Sequence, residues 1–578
     1  MPFKTFNDPI YGPIDLDVRL VRLIDTVQFQ RLHYLRQLGV AYSVYPAASH
    51  TRFEHSIGTC HLAGELLESL LKVAKENEQV KRTETDETIG IENESITDER
   101  ERLIKVESPF SDRDSAIGIE VQSNEQESPI ENHDQDSIDA CSIVDILSDD
   151  KDLLCVKMAA LLHDLGHGPF SHFWESLIKT HIEILNENSS KHEINEFVHE
   201  EMTINLIEMM LKENPTIREE LELNEDDLEF VHELVLSNKK RKSSRSKNPL
   251  KNFFYEIVSN KQNGIDVDKW DYIRRDSHHV GINTSFEFKR LLKLCRADNT
   301  CSDNKTHISW PEREFDNVLQ MFEQRKRLHK KVYQHRVIKP IERLYIELFR
   351  TANEFLKVPS SMDPDVSLPI LEAHKDPYTF VNMTDGILQA IKLFNHPKAE
   401  ICKRILRKIQ LRDIGKIVCE ANVDELSSYN KSYLRDLRRK FTSYLQLKSM
   451  NLQGDQILKK DELDIQFYRT VLDFGMKGQD NPMNYVWLYS KDQNSQTEMA
   501  KNLDWEYWDK MTPKKINENN VFLSANCATV EQVKRVEELF VDFCSEEKGI
   551  KPVSTYAVAR QRSKQEGSTR KLFLDQVI

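Results

Sequence analysis

The stretch DLLCVKMAALLHDLGHGPFSH, residues 152–172, carries an apolar helical pattern straight into His163 and Asp164. Helices of this kind are buried, and a buried carboxylate beside an imidazole costs several kcal/mol unless something compensates it. A cation does so, held by the imidazole through nitrogen and the carboxylate through oxygen. Gly166, Gly168 and Pro169 then break the helix and swing His167 and His172 round the same rim. In SHTRFEHSIG, Arg52 and His55 stand at i, i+3 ahead of an apolar helix, so a guanidinium suited to phosphate and a nitrogen ligand share a face. In NGIDVDKWDYIRRD, Asp268, Tyr272 and Asp276 recur at i, i+4, i+8 with Lys269 beside them. Each motif has a plainer alternative: a histidine satisfied inside a core, or a salt-bridged surface. Together, His55, His163, Asp164 and Asp268 form a mixed nitrogen and oxygen donor set that suits one iron, zinc or manganese ion better than calcium.

Helices must position these groups. Cys60–Val73 places Leu62, Leu66, Leu67, Leu70 and Leu71 on one face, and Leu153–Leu162 is apolar throughout. Between them, residues 83–150 hold one aromatic, Phe110, and 21 acidic against 4 basic residues. Such a segment buries too little apolar area to offset chain entropy, so it reads as a disordered insertion within one domain. It carries −17 of the total −15, which leaves the rest of the chain at +2 and able to hold phosphate-rich ligands. A second break, Asn238–Asn248, contains KKRKSSRSK and reads as a solvated loop, with nuclear import or single-stranded nucleic-acid binding as the sharper alternative. Phe253–Leu356 reads as mostly helical. Within it, Arg325, His329, Tyr333 and Arg336 recur at i, i+4, i+8, i+11, as on one helical face. Beyond Ser360 the texture changes, with helices over Asp385–Lys408 and Asp424–Leu447 and strands near Ile465–Phe474 and Tyr485–Ser490. The expected fold is therefore mainly α: a helical core over 1–359, a smaller α+β lobe over 360–555 and a loose tail over 556–578.

The nine cysteines are scattered and show no zinc-finger or redox spacing, which favours free thiols. No apolar run is long enough to cross a membrane, and MPFKTFNDPIYG lacks the layout of a signal peptide, so residence in the cytoplasm or nucleus is expected.

The order His55, His163–Asp164, Asp268 resembles the signature of the HD-domain metal phosphohydrolases. The longer strings FNDPIYG (6–12), IDTVQFQRLHYLRQLG (24–39), HDLGHGPFSH (163–172) and YEIVSNKQNGIDVDKWDYIRRDSHHVGI (255–282) narrow the likeness to the SAM-and-HD-domain deoxynucleotide triphosphohydrolases of animals. No segment here reads as the SAM module. The resemblance implies a divalent iron, zinc or manganese on His55, His163, Asp164 and Asp268, with magnesium accompanying the nucleotide. It makes His167, His172 and His199 the active-site imidazoles and Glu200 an acid beside them. Arg52, Lys269, Tyr272 and Arg325 then face the triphosphate, with Gln37, Leu38, Asp276, Tyr333 and Gln334 around sugar and base. Hydroxide would attack the α-phosphate, His172 or else His199 would protonate the departing 5′ oxygen, and Gln37 and Leu38 would leave no room for a ribose 2′ hydroxyl.

The resemblance also implies nucleotide sites between the subunits of a homotetramer. Lys4, Thr5, Asp25, Gln30, Arg412 and Lys416 match a GTP activator site. Asn7, Val44, Arg290, Arg313, Asn317, Lys331, His335, Arg336 and Lys491 match an adjoining dNTP site. Three positions depart from the family: His33 stands for an arginine at the activator base, Pro311 for a basic residue and Glu175 for an aspartate. Losing a planar, permanently charged donor at 33 weakens strict guanine selectivity. Two other functions stay open at this stage: an HD hydrolase of another ester, such as a nucleotidase or phosphodiesterase, and a non-catalytic nucleic-acid-binding protein.

Overall fold

The computed structural model describes residues 3–103 (side chains to 80), 142–187, 197–237, 242–363, 365–423, 432–449, 463–475, 480–490, 497–500, 518–547 and 549–553. Most of the acidic insertion, the tail and Lys491 lie outside the described residues.

The chain opens with the hairpin β1 (Phe3–Asp8) and β2 (Gly12–Asp17), and then coils through short turns to the long helix α1 (Arg52–Leu103). The body continues with α2 (Asp150–Leu162), α3 (His172–Glu187), α4 (His199–Glu213), α5 (Glu225–Leu236) and α6 (Val267–Val280). The apolar face read over Cys60–Val73 is largely buried, as are nine of the thirteen residues of α2, including every one from Met158 to Leu162, which is why α2 shows almost no polar stripe. Asp149 caps the start of α2, its carboxylate accepting from the Lys151 and Asp152 amides.

The insertion is narrower than expected at both ends. Helix α1 runs on to Leu103 through a Glu-rich continuation that contains no proline. On the far side, Ser142 caps a short helix, Ile143–Ile146, that buries Ile146 and Leu147.

The span Phe253–Leu356 includes an antiparallel pair, β3 (Arg296–Asp298) and β4 (His307–Pro311), followed by α7 (Phe315–Leu328) and α8 (Ile338–Ala352). Between α7 and α8, residues His329–Tyr333 form a π turn. The wider turn changes the angular step per residue, so Arg325, His329 and Tyr333 stay on one wall while Arg336 leaves it.

The basic segment also departs from expectation. Where it is described, it is docked. Arg245 bonds Asp152, Asp226 and Asp227, and buried Glu233 accepts from the Ser243 amide and hydroxyl. Two of these carboxylates, Asp152 and Asp227, have no exposed surface, so the arginine compensates charge inside the fold.

Residues 370–409, including α9 (Pro397–Gln410), share the first core, so the change of core falls between 409 and 418 and not near 360. The helix expected over Asp385–Lys408 is broken at His396–Pro397, where proline takes the first position of α9. The lobe is built in the order β5 (Lys416–Val423), α10 (Tyr433–Ser449), β6 (Gln466–Leu472), β7 (Trp487–Tyr489), β8 (Glu498–Met499), β9 (Glu518–Ala525), α11 (Val530–Glu546), β10 (Ile550–Pro552). Strands β7 and β8 leave it and extend the β3–β4 pair, with β4 parallel to β7. The other four form an antiparallel sheet ordered β10-β5-β9-β6. With α10 and α11 this is the βαββαβ arrangement of ferredoxin-like folds.

Candidate metal and phosphate site

The ends of α1, α2 and α6 converge. His55 lies one turn into α1, His163 caps the C-terminus of α2, Asp164 follows it, and Asp268 sits in the first turn of α6. His55 Nε2 is 3.4 Å from Asp164 Oδ2 and 3.2 Å from Asp268 Oδ1. His163 Nε2 is 3.5 Å from an oxygen of each carboxylate. Both imidazole nitrogens are buried and make no hydrogen bond. Atoms held about 2.0–2.2 Å from one ion at tetrahedral or octahedral angles stand about 3.0–3.5 Å from one another. His55, His163 and Asp268 therefore gather as the ligands of one divalent metal would, with Asp164 facing both imidazoles, and the charges agree. Burial opposes a charged His55, yet the surrounding Asp268, Asp271 and Asp164 outweigh it and raise its pKa to about 10. Burial would raise Asp164, but Arg52, His163 and His167 hold it well below the usual carboxylate range. Two imidazoles that draw in protons between two stubborn carboxylates mark a place where a cation belongs.

A second layer fixes the ligands. His55 Nδ1 donates to Asp271 Oδ2 at 2.6 Å, and the His163 Nδ1 proton points at the Ala160 carbonyl, 2.9 Å away. Arg275 donates to both oxygens of Asp271, at 2.8 and 2.9 Å, and to Asp8 at 2.8 Å. Asp8, Asp271 and Arg275 were not singled out in the sequence. Asp271 had a signal, three residues after Asp268 and four before Arg275 on one helix, whereas the reach back to Asp8 has none. Gly58 makes room for the pair, since a Cβ there would lie 2.1 Å from Asp271 Oδ1.

The turn after α2 is held from two sides. Buried Arg31 donates to the carbonyls of Leu165 (3.0 Å), His167 (2.6 Å) and Met383 (2.9 Å), and Asp385 Oδ1 accepts the Phe170 amide at 2.7 Å. Phe170 and Ser171 take left-handed backbone, φ 60° and 59°. At Gly166 a Cβ would fall 1.9 Å from the His199 carbonyl, so only glycine lets the turn meet the start of α4.

His167, His172 and His199 gather within 4.8 Å of one another. The rings of His167 and His199 are stacked, 4.0 Å apart and 20° from parallel. Their in-plane nitrogens run side by side and cannot converge on an ion about 2 Å away. Glu175 accepts from His199 Nδ1 at 3.0 Å and lies 3.9 Å from His172 Nδ1, and Glu200 is 3.3 Å from His199. Burial would raise Glu175, but the two histidines bring it down to about 2. Burial, Arg52 and His199 keep His167 neutral, its pKa well below the usual value.

These groups border a cavity of about 550 Å³. Every residue expected around triphosphate, sugar and base lines it: Arg52, Lys269, Tyr272 and Arg325, then Gln37, Leu38, Asp276, Tyr333 and Gln334. Of the three imidazoles, His172 alone lines it. Arg52 bonds Asp164 and, at 2.9 Å, the Ser171 hydroxyl. Lys269 holds Asp266 at 2.7 Å. Arg325 Nε and Nη1 are buried with no hydrogen-bond partner, the nearest carboxylate being Asp473 at 3.6 Å, and Gln37 Oε1 is likewise unpartnered. Gln334 Nε2 donates to the Val471 carbonyl at 2.7 Å while its Oε1 accepts the Val471 amide at 3.0 Å.

The residues matched to regulatory sites are dispersed on a single chain. Lys4, Thr5 and Asn7 lie on β1, Gln30 donates to the Ile24 carbonyl at 2.9 Å, and Lys416 begins β5. His33, stacked on Phe53 at 3.5 Å, and Arg412, which bonds the Ser43 carbonyl, line one cavity of about 630 Å³. Arg290 and Asn317 meet at Glu314, beside Arg313, at 2.6 and 3.4 Å. Lys331 and His335 gather instead at Tyr45, next to Val44.

Residues 136–245 match the HD domain family. The chain is 30% identical over 509 residues to "Deoxynucleoside triphosphate triphosphohydrolase SAMHD1" of Bos taurus, covering 86% of this chain and 71% of that protein. It is 30% identical over 563 residues to the protein of the same name in Gallus gallus, covering 96% and 77%. It is 27% identical to the SAMHD1 homolog of Dictyostelium discoideum, covering 93% and 80%. Among the described residues no helix is long and apolar enough to cross a membrane.

Proposed function

The chain belongs to the SAMHD1 family of deoxynucleoside triphosphate triphosphohydrolases, and on that premise we propose that its 550 Å³ cavity cleaves deoxynucleoside triphosphates to deoxynucleoside and inorganic triphosphate. The observation that carries this reading is the pair of buried, unpartnered imidazole nitrogens of His55 and His163 facing Asp164 and Asp268 at the end of a cavity walled by Lys269 and Arg325. His55, His163, Asp164 and Asp268 would hold a divalent iron, zinc or manganese, which would supply Lewis acidity. Lys269 and Arg325 meet the charge of the triphosphate, which arrives with magnesium, and the unpartnered donors of Arg325 gain oxygen acceptors. As a new P–O bond forms at the α-phosphorus and the bond to the 5′ oxygen breaks, His172 gives its proton to that oxygen. Glu175 accepts from His199, which stacks on His167, and its charge lies 3.9 Å from His172 Nδ1.

Regulation is the finer part of the reading. GTP at Lys4, Asp25, Gln30, His33, Arg412 and Lys416, with a dNTP at the neighbouring residues, would join subunits into a tetramer. It is supported by the cationic cavity at His33 and Arg412. The test is product chromatography on purified protein with manganese, magnesium and mixed nucleotides, with and without GTP. Deoxynucleoside and intact triphosphate are expected, and His163→Ala with Asp164→Ala abolishes both. Turnover retained in that double variant refutes the metal assignment.

A further inference from the structure

A cavity that receives a polyanion has reason to avoid bare carboxylates, yet Asp276 lines it with only 2% of its surface exposed. Its partners explain how it stays. Tyr333 donates its hydroxyl to Oδ2 at 2.6 Å, and His50 Nε2 stands 2.7 Å from Oδ1. A carboxylate accepts and does not donate, so the proton in the second contact belongs to His50 Nε2. His50 does not line the cavity. Its side chain is fully buried behind the wall, stacked at 4.3 Å on His279, one helical turn beyond Asp276 on α6. Its backbone carbonyl accepts the amide of Gln37, the neighbouring wall residue with an unpartnered Oε1. His50 therefore meets the carboxylate with its ring and the main chain of Gln37 with its carbonyl.

We propose that His50 is a positioning residue that locks Asp276 as an acceptor for a hydroxyl of the nucleoside, so that discrimination at this hydroxyl depends on His50. The inference rests on the proposed deoxynucleotide reading of the cavity, in which Asp276 faces the sugar, and adds the buried residue that holds Asp276 in place. Each carboxylate oxygen has lone pairs in two directions. His50 and Tyr333 take one on each, which leaves the remaining acceptor capacity to the cavity, where only a donor is welcome. Deoxynucleotides differ in their bases but share the sugar hydroxyl, and a fixed acceptor suits the shared group.

The experiment is an internal competition. A dNTP and the 2′,3′-dideoxynucleoside triphosphate of the same base are mixed with the full-length, metal-loaded protein and GTP, and both products are separated by chromatography. The ratio of the two kcat/KM values is then read under one state of activation. The wild type should favour the hydroxylated substrate by about 10–100-fold, the range for a hydrogen bond to a charged group. His50→Leu, which cannot donate, should bring that ratio to within about threefold of unity by losing rate on the dNTP alone. His50→Gln, which carries an N–H at similar reach, should restore most of it. Equal loss on both substrates, or an unchanged ratio in His50→Leu, overturns the proposal. Should His50→Leu not fold, as judged by its melting curve, His50→Asn, polar but too short to reach Asp276, takes its place: a ratio near unity supports the proposal and an unchanged ratio overturns it. Absence of triphosphate release by the wild type is a separate result that removes the deoxynucleotide reading itself.

Discussion

Replacing Asp271 by asparagine preserves the shape of the side chain and removes one charge from a cluster sealed off from water. His55, Asp271 and Arg275 have no exposed side-chain surface, and Asp271 joins the other two through contacts of 2.6, 2.8 and 2.9 Å. Burial would raise the Asp271 carboxyl, but Arg275 and His55 draw it down to about 2, so it is fully ionised at neutral pH. Two losses follow, and they can be measured apart. Breaking one partner of a buried ion pair costs about 3–5 kcal/mol. The lower end applies here, because Arg275 keeps Asp8. In chelator, the melting temperature of Asp271→Asn should therefore fall by roughly 3–4 °C, because a helical body of this size unfolds with an entropy of about 2.1 cal/mol/K per residue. Separately, asparagine no longer holds the Nδ1 proton of His55 with a full charge, so Nε2 becomes a poorer donor to a metal. Changes in such outer partners lower metal affinity by about 10–100-fold. Competition with a graded series of chelators, followed by metal analysis of the protein, reads that number. An affinity within about threefold of wild type in a folded Asp271→Asn protein would refute the claim that Asp271 tunes the ligand.

Gly166→Ala should lower kcat and also stability, by about 1–3 kcal/mol, because the new methyl group displaces the start of α4 and with it His199; unchanged kcat and melting temperature would show that the turn has slack. Arg325→Ala should raise KM for the substrate at least tenfold with kcat little changed, since it removes buried guanidinium nitrogens at the cavity that have no hydrogen-bond partner in the fold, and an unchanged KM would show that Arg325 does not meet the triphosphate. Glu175, held near 2 against an ordinary value of about 4.3, adds stability that is complete above about pH 5 and fades as the pH falls toward 2. Discounted for its partial exposure, the effect is about 1–2 kcal/mol. The gap in melting temperature between wild type and Glu175→Gln should accordingly shrink as the pH drops from 7 to 3.5, and a gap that widens would reverse the assignment.

The parts of the site that could be read in advance were those encoded by local periodicity. His163–Asp164 at the end of an apolar helix and Asp268, Tyr272 and Asp276 on one face need only a helix to be placed. Contacts across long separations carried no such mark. Arg245 lay in a run of lysines and serines that reads as solvent-facing, and only the arrival of Asp152 from 93 residues away makes it a buried counter-ion. Arg31 and Asp385 look ordinary, yet between them they fix the backbone of the 163–172 turn. The π turn at His329–Tyr333 defeated a regular helical count, so Arg336 was placed on a face it does not share. The helical body and the α+β lobe were both legible, but the point where one core gives way to the other was not. Residues 370–409 look like loop and surface helix until they pack on α8.

Gln334 forms a wall of the cavity and also holds both the amide and the carbonyl of Val471, on β6. Because β6 is the outermost strand of the lobe sheet, the side chain stands in for the neighbour that strand lacks and shields an edge open to strand-by-strand aggregation. The primary amide of Gln334 offers the donor and the acceptor side by side, as a neighbouring strand would. Evolution or engineering that alters this wall to admit another base thus also uncovers a sticky border, and substrate range and solubility are constrained by the same residue.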